Sequence, residues 1–145
     1  MIRLNTIIIS IIITFGFFNI SFSSENFFKE GVKLFEKKKY KDAKFFLERS
    51  IVFDPKHANS YLYLAKIYKK EEDQKNEEKN LETTLLIDPS NEEAILMLME
   101  IGIKNTNYSK VKELSGTFTK VCKKLCEKNE KILEDLKNLE PKNES

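Results

Sequence analysis

The sequence predicts an all-α protein, an α-solenoid of antiparallel helix hairpins. Three observations carry that expectation. Glycine and proline number only 4 and 3 in 145 residues, too few for a turn-rich β-sandwich, a collagen-like chain or a disordered linker. The chain also matches itself at an offset of 34: Asp54-Pro55 falls on Asp88-Pro89, Ile51 on Leu85, Leu47 on Leu81 and Gly31 on Ala65. A fixed period of that length is the mark of stacked repeats. Within each period, apolar residues recur at steps of three and four, one face of a helix.

The N-terminal segment stands apart from the repeats. Arg3 is the only charge before Glu25, and Ile7 to Ile20 is apolar apart from Ser10, Thr14, Gly16 and Asn19. Ser21-Phe22-Ser23-Ser24 then places small residues at the end. A basic start, a short apolar middle and small residues after it compose a secretory signal peptide. A cut after Ser23 sets Ser21 and Ser23 where a signal peptidase requires small side chains. The alternative is an uncleaved anchor, since Leu4 to Phe22 is 19 residues long, close to the ~20 that span a bilayer. Both readings give residues 1–23 as a signal or anchor and place the rest outside the cytoplasm: periplasmic or extracellular in a bacterium, or tethered to the membrane. No cysteine lies near the cut, so a bacterial lipoprotein anchor is excluded.

From residue 24 onward each repeat reads as two helices. Phe27, Phe28, Gly31, Leu34 and Phe35 share one face; Lys37-Lys38-Lys39 is a polar turn; Ala43, Phe46, Leu47, Ser50 and Ile51 form the next face. Asp54-Pro55 ends it, because the residue before proline is driven out of the helical region. The second repeat uses Tyr61, Leu64, Ala65 and Tyr68, then Leu81, Thr84 and Leu85. The third uses Ile95, Leu98, Met99 and Ile103, then Tyr108, Val111, Leu114, Phe118 and Val121. Lys123 stands where a third proline would fall, so this last helix is expected to run on to about Cys126. Glu77 replaces the small Ala43, which predicts looser packing between the second and third repeats, and Gly102 stands in the place of Leu34 and Tyr68. A stack leaves its last apolar face bare. Ile132, Leu133, Leu136 and Leu139 make a fitting cap over residues 130–139, stopped by Pro141, with a polar tail at 140–145.

These positions resemble the tetratricopeptide repeat family over residues 26–126, with repeats at about 26–58, 59–92 and 93–126. Gly31, Ala65 and Ala43 match its small positions, Tyr68 and Leu34 its large one, Pro55 and Pro89 its separators. The resemblance implies a protein-interaction scaffold that is not an enzyme, with a concave groove lined by the first helix of each repeat. It implies a groove carrying Phe28, Val32, Phe35, Leu62, Lys66, Lys69, Leu96, Glu100 and Ile103. Relatives that capture an acidic C-terminus do so with basic and amide side chains. Here the corresponding places hold Phe28, Val32, Tyr63, Glu93 and Met97, so an apolar segment such as an amphipathic helix is the expected partner. Self-association through an end of the short stack is a further expectation.

Charge is near balance overall, with 25 basic and 23 acidic residues, and gives nucleic-acid binding no support. It is segregated along the chain: net +7 over 29–70, −8 over 71–100 and +5 over 104–131. Little chemistry is visible. The glycines are isolated, so no phosphate loop exists; the one histidine, His57, reads as a surface linker residue. No cofactor and no metal is expected. Cys122 and Cys126 are the exception. Spaced by four on a helix, they would share a face about 6 Å apart. They could be inert core thiols, a disulfide pair suited to an oxidising compartment, or a redox or metal pair activated by Lys120, Lys123 and Lys124. The last would make the chain a thiol-dependent envelope protein instead of a scaffold.

Overall fold

The computed structural model describes residues 23–139, and the N-terminal segment and the tail lie outside it. Seven helices follow one another in the described residues: α1 Ser24–Glu36, α2 Tyr40–Phe53, α3 Ala58–Lys70, α4 Gln74–Ile87, α5 Glu92–Lys104, α6 Tyr108–Val121 and α7 Cys126–Leu139. No strand interrupts them. Helices pair as consecutive antiparallel hairpins, α1 with α2, α3 with α4 and α5 with α6, and each hairpin packs on the next. The all-α solenoid is therefore the observed fold.

The three hairpin turns are copies of one another. Lys38, Glu72 and Thr106 adopt φ of 59°, 60° and 54°, again 34 residues apart. In each turn the next residue donates its N–H five positions back: Lys39 to Leu34 O, Asp73 to Tyr68 O and Asn107 to Gly102 O, at 2.9, 3.0 and 2.8 Å. This double-bonded left-handed cap satisfies carbonyls that a helix end otherwise leaves open. Two of the three second helices then start on side-chain caps: Asp73 accepts from Asn76 N and Asn107 from Lys110 N, whereas Lys39 before α2 provides none. Links between hairpins use a different device. Asp54 and Asp88 each turn the chain by accepting the N–H two residues on, from Lys56 and Ser90.

The core grows toward the C-terminal half. One cluster, centred on Ala43, Leu47, Leu64 and Ile67, joins the first hairpin to α3. The larger one runs from Leu62 and Ala65 through Leu81 to α5, α6 and Leu136. Helix α5 buries eight residues and is the spine of the molecule. Gly31 is required by close approach, because a Cβ there would sit 2.8 Å from Leu47 Cγ. Glu77 is buried at the joint between second and third repeats, beside a polar hollow of about 550 Å³ lined by Lys69, Gln74, Glu100 and Lys104. Burial pushes its carboxyl above the usual glutamate value, with Lys69 opposing.

Two expectations are corrected here. Helix α6 ends at Val121 rather than running to Cys126, and Cys122 is already extended at φ −63°, ψ 138°. The cause is a competitor for the backbone. The amides of Lys123, Lys124 and Leu125 donate to the Glu92 carboxylate at 2.8, 3.1 and 2.7 Å. They are therefore unavailable for continuing the helix. The cap helix α7 consequently starts at Cys126, four residues before Glu130. His57, expected on the surface, is instead wedged between Phe28, with ring centroids 4.6 Å apart, and Ser60.

Candidate partner groove

The first helices of the hairpins, α1, α3 and α5, and the cap α7 face one another across a concavity of about 950 Å³. Its apolar surface comes from Phe35, Leu96, Met97, Ile103, Leu125 and Ile132. Lysines surround this strip: Lys66, Lys69 and Lys70 from α3, Lys128 and Lys131 from α7. Two acids on α5 answer two of them. Lys66 Nζ lies 2.8 Å from Glu93 Oε2, and Lys69 pairs with Glu100. Both pairs cross from α3 to α5, so the positive stretch 29–70 and the negative stretch 71–100 meet at the groove. Lys44 and Glu71 do the same between the first two hairpins, 3.0 Å apart.

Six of the nine expected groove residues line this concavity: Phe35, Lys66, Lys69, Leu96, Glu100 and Ile103. Leu62 does not. It is only 4% exposed and belongs to the core, since the first helix of the second repeat buries that side against its neighbours. Leu96, at 5%, offers the groove little more than an edge. Phe28 and Val32 are half-buried but are not part of the lining; Phe28 instead packs edge-on against Tyr63, with centroids 5.6 Å apart. Tyr63 also meets Phe35 edge-on at 5.4 Å and carries Lys66 Nζ 4.3 Å above its ring. Burial and the charges of Glu93 and Glu36 push its phenol above the ordinary tyrosine value.

The fourth wall was missed by reading the repeats alone. Leu125, Lys128, Lys131, Ile132 and Asp135 all belong to α7 or its approach. The signal was present in the sequence as the stripe of the cap, whose residues recur at helix spacing. Its inward turn depends on the break at 122–125, which was not visible.

That break holds Cys122 and Cys126, joined by a disulfide with Cα atoms 5.4 Å apart. The two residues bracket a helix junction and do not lie on one helix as expected. Cys122 is half-buried and, like Val121 and Leu125, packs against the larger core cluster, while Cys126 is exposed. Burial pushes the carboxyl of Glu92 up. The bonds from Leu125, Lys123 and Lys124 and the charge of Lys124 outweigh it, holding Glu92 below the usual glutamate range.

A second polar row ties the first hairpin to α3. Glu25 Oε2 lies 3.6 Å from His57 Nε2, His57 Nδ1 lies 2.9 Å from Ser60 Oγ, and Ser60 Oγ donates to Ser50 Oγ at 2.9 Å. Acid, imidazole and hydroxyl in a row suggest nucleophilic chemistry. Ser60 is fully buried, however, and its hydroxyl is committed to Ser50, so the row is a stitch between repeats. Among the described residues no group of His, Cys, Asp and Glu is arranged to hold a metal ion. No described helix is long and apolar enough to cross a membrane.

No family model matches the sequence, and no curated protein does. Solved structures do match the fold. The TPR domain of Sgt2 from Aspergillus fumigatus superposes with a TM-score of 0.66 at 16% identity, covering 84% of this chain and 87% of that one. The first TPR of Spaghetti (RPAP3), bound to the HSP90 peptide SRMEEVD, gives 0.66 at 15% identity over 84% and 99%. A chain of the CopN–Scc3 complex gives 0.65 at 14% over 81% and 78%. At these identities the likeness concerns architecture: the protein has the fold of a tetratricopeptide repeat domain, three hairpins closed by a seventh helix.

Proposed function

We propose that this protein is an exported, non-enzymatic interaction scaffold that holds an apolar segment of a partner protein in the groove between α1, α3, α5 and α7. The observation that carries this reading is the half-buried apolar strip of Phe35, Ile103, Leu125 and Ile132, with the edge of the buried Met97, within a charged rim. An amphipathic helix suits such a strip, with its apolar face inward and its polar face in water. Spaghetti supports peptide occupancy of this fold, since that domain was solved with a bound peptide. Capture of an acidic C-terminus finds no support here, because the corresponding positions hold Phe28, Val32, Tyr63, Glu93 and Met97. Export rests on residues 1–23, of which 1–22 lie outside the described structure. Ser23, just before the expected cut, caps α1 by accepting from Asn26 N.

A photo-crosslinking residue at Met97, in protein expressed from the full gene, should trap one partner segment. The same probe at Leu86, exposed on α4, should trap none. Ile103→Glu should abolish the Met97 adduct while helicity is retained. Equal adducts from both positions would refute the groove. Mass spectrometry of the purified N-terminus tests export: a chain starting at Ser24 supports it, and an intact Met1 in soluble cytoplasm opposes it.

A further inference from the structure

We propose that the Cys122–Cys126 disulfide is a thiol-exchange site that decides whether α7 stays on the groove. Its consequence for a partner rests on the groove reading above; the device itself does not.

The segment has two ways to fold. From Lys120 to Lys128 the sequence is Lys-Val-Cys-Lys-Lys-Leu-Cys-Glu-Lys, with neither glycine nor proline. Nothing in it breaks a helix, and alone it would join α6 to α7 as one rod. The other two links each carry a proline, Pro55 and Pro89, and Lys123 holds the equivalent place. Here the break comes from elsewhere. The disulfide holds Cys122 outside the helical region, and Glu92 takes the three amides that follow.

Helix α7 depends on that break. Leu136 is its only buried apolar residue; Leu125, Ile132 and Leu133 around it are half-buried. Its buried Asn129 donates to Thr119 Oγ1 but leaves Oδ1 without a partner, which costs stability. Helix α5, by comparison, buries eight residues. So α7 is the lightly anchored element, and it supplies Lys128, Lys131, Ile132 and Asp135 to the groove.

The bond is open to attack. Cys126 is exposed and Cys122 half-buried, with exposed Lys123 and Lys124 beside them. Their charge draws in a thiolate and favours the thiolate that leaves. A dithiol reductant, as one thiolate, attacks Cys126 Sγ; the Cys122–Cys126 bond breaks and Cys122 departs as thiolate. The second thiol of the reductant then attacks the mixed disulfide and releases Cys126. Two electrons pass to the protein, the reductant ends as a disulfide, and Cys122 and Cys126 end as thiols after taking up two protons. The freed segment can then wind into helix, which removes its amides from Glu92 and swings α7 off the groove.

Hydrogen exchange and small-angle scattering on the purified protein, with and without a small dithiol, test this without any partner. On reduction the amides of residues 128–136 should exchange at least about tenfold faster. The radius of gyration should rise, and α1 to α4 should be unchanged. Cys122→Ser with Cys126→Ser should reproduce the reduced state. Adding Lys123→Pro to that double variant should restore slow exchange in part, because proline reinstates the break that Pro55 and Pro89 make in the other links while removing only one of the three amides that Glu92 holds. Identical exchange in both redox states would overturn the proposal, as would loss of helix throughout the chain on reduction or no rescue by Lys123→Pro. If these results hold while Met97 traps nothing, the switch stands and the groove reading falls.

Discussion

Single residues carry more of this fold than their number suggests, and the glycines separate two roles. At Gly31 an added Cβ meets Leu47 Cγ at 2.8 Å and Cδ2 at 2.9 Å, so α1 and α2 would have to part. At Gly116, inside α6, it meets nothing within 4 Å. Gly31→Ala should therefore destabilise by roughly 1–3 kcal/mol through overpacking. Gly116→Ala should stabilise by roughly 0.5–1 kcal/mol, because alanine loses less freedom on entering a helix. Denaturant midpoints decide both, and a stabilised Gly31→Ala would disprove the close contact. Glu92 makes a second residue-level case. Its carboxyl sits below the usual glutamate range in the folded state. A lowered folded value stabilises above the ordinary glutamate value, and that contribution is lost as pH falls through the folded one. Glu92→Gln should thus be less stable than the natural protein near neutrality, with the gap closing in acid. A gap that stays constant with pH would mean the carboxylate charge has no part in holding the 122–125 turn.

Among the elements, the hairpin turns reveal what periodicity can and cannot convey. The 34-residue offset placed Lys37-Lys38-Lys39 in a turn, and the structure puts the left-handed residue there at Lys38, repeated at Glu72 and Thr106. Nothing in those three side chains announces a positive φ, which glycine adopts most readily. The conformation is imposed by the paired hydrogen bonds of the cap and by the packing of the two helices it joins. Each of the three carries a Cβ in a region that costs roughly 1–2 kcal/mol. Lys38→Gly, Glu72→Gly and Thr106→Gly should each stabilise, by roughly 0.5–1 kcal/mol after the added freedom of the unfolded chain is subtracted. A loss at any of them, read from thermal midpoints, would show that its side chain does more than occupy the turn. The end of α6 eluded sequence reading for a related reason. Its stop signal is not local: it is a carboxylate 31 residues earlier, Glu92, together with a covalent bond. Local patterns locate helices well when the breaker is proline, as at Pro55 and Pro89, and fail when it is a distant side chain.

For the molecule as a whole, the repeat pattern conveyed the architecture because each hairpin hides its apolar face on the next, and that demand is written into every period. The groove was less visible. Core and groove residues alternate on the same helices, so Leu62 and Lys66, one turn apart on α3, fall on opposite sides of that division. Which side faces inward depends on how far each hairpin rotates on the last, a quantity no local spacing contains. The same stacking sets how the protein comes apart. The first cluster, with Ala43, Leu47, Leu64 and Ile67, is distinct from the larger cluster that includes Ile95, Met99, Val111 and Phe118. Where repeats touch only their neighbours, a cavity weakens its own cluster first. Leu47→Ala and Ile95→Ala remove similar side chains from fully buried sites, and each should cost roughly 2–5 kcal/mol. Their reach should differ. Leu47→Ala should speed amide exchange in α1 and α2 while α5 and α6 keep their protection. Ile95→Ala strikes the spine that joins α3, α4, α6 and α7 through one core, so protection should fall across all of them together. Equal loss of protection along the whole chain in both variants would mean that the two clusters unfold as one unit, and the stack would be cooperative from end to end.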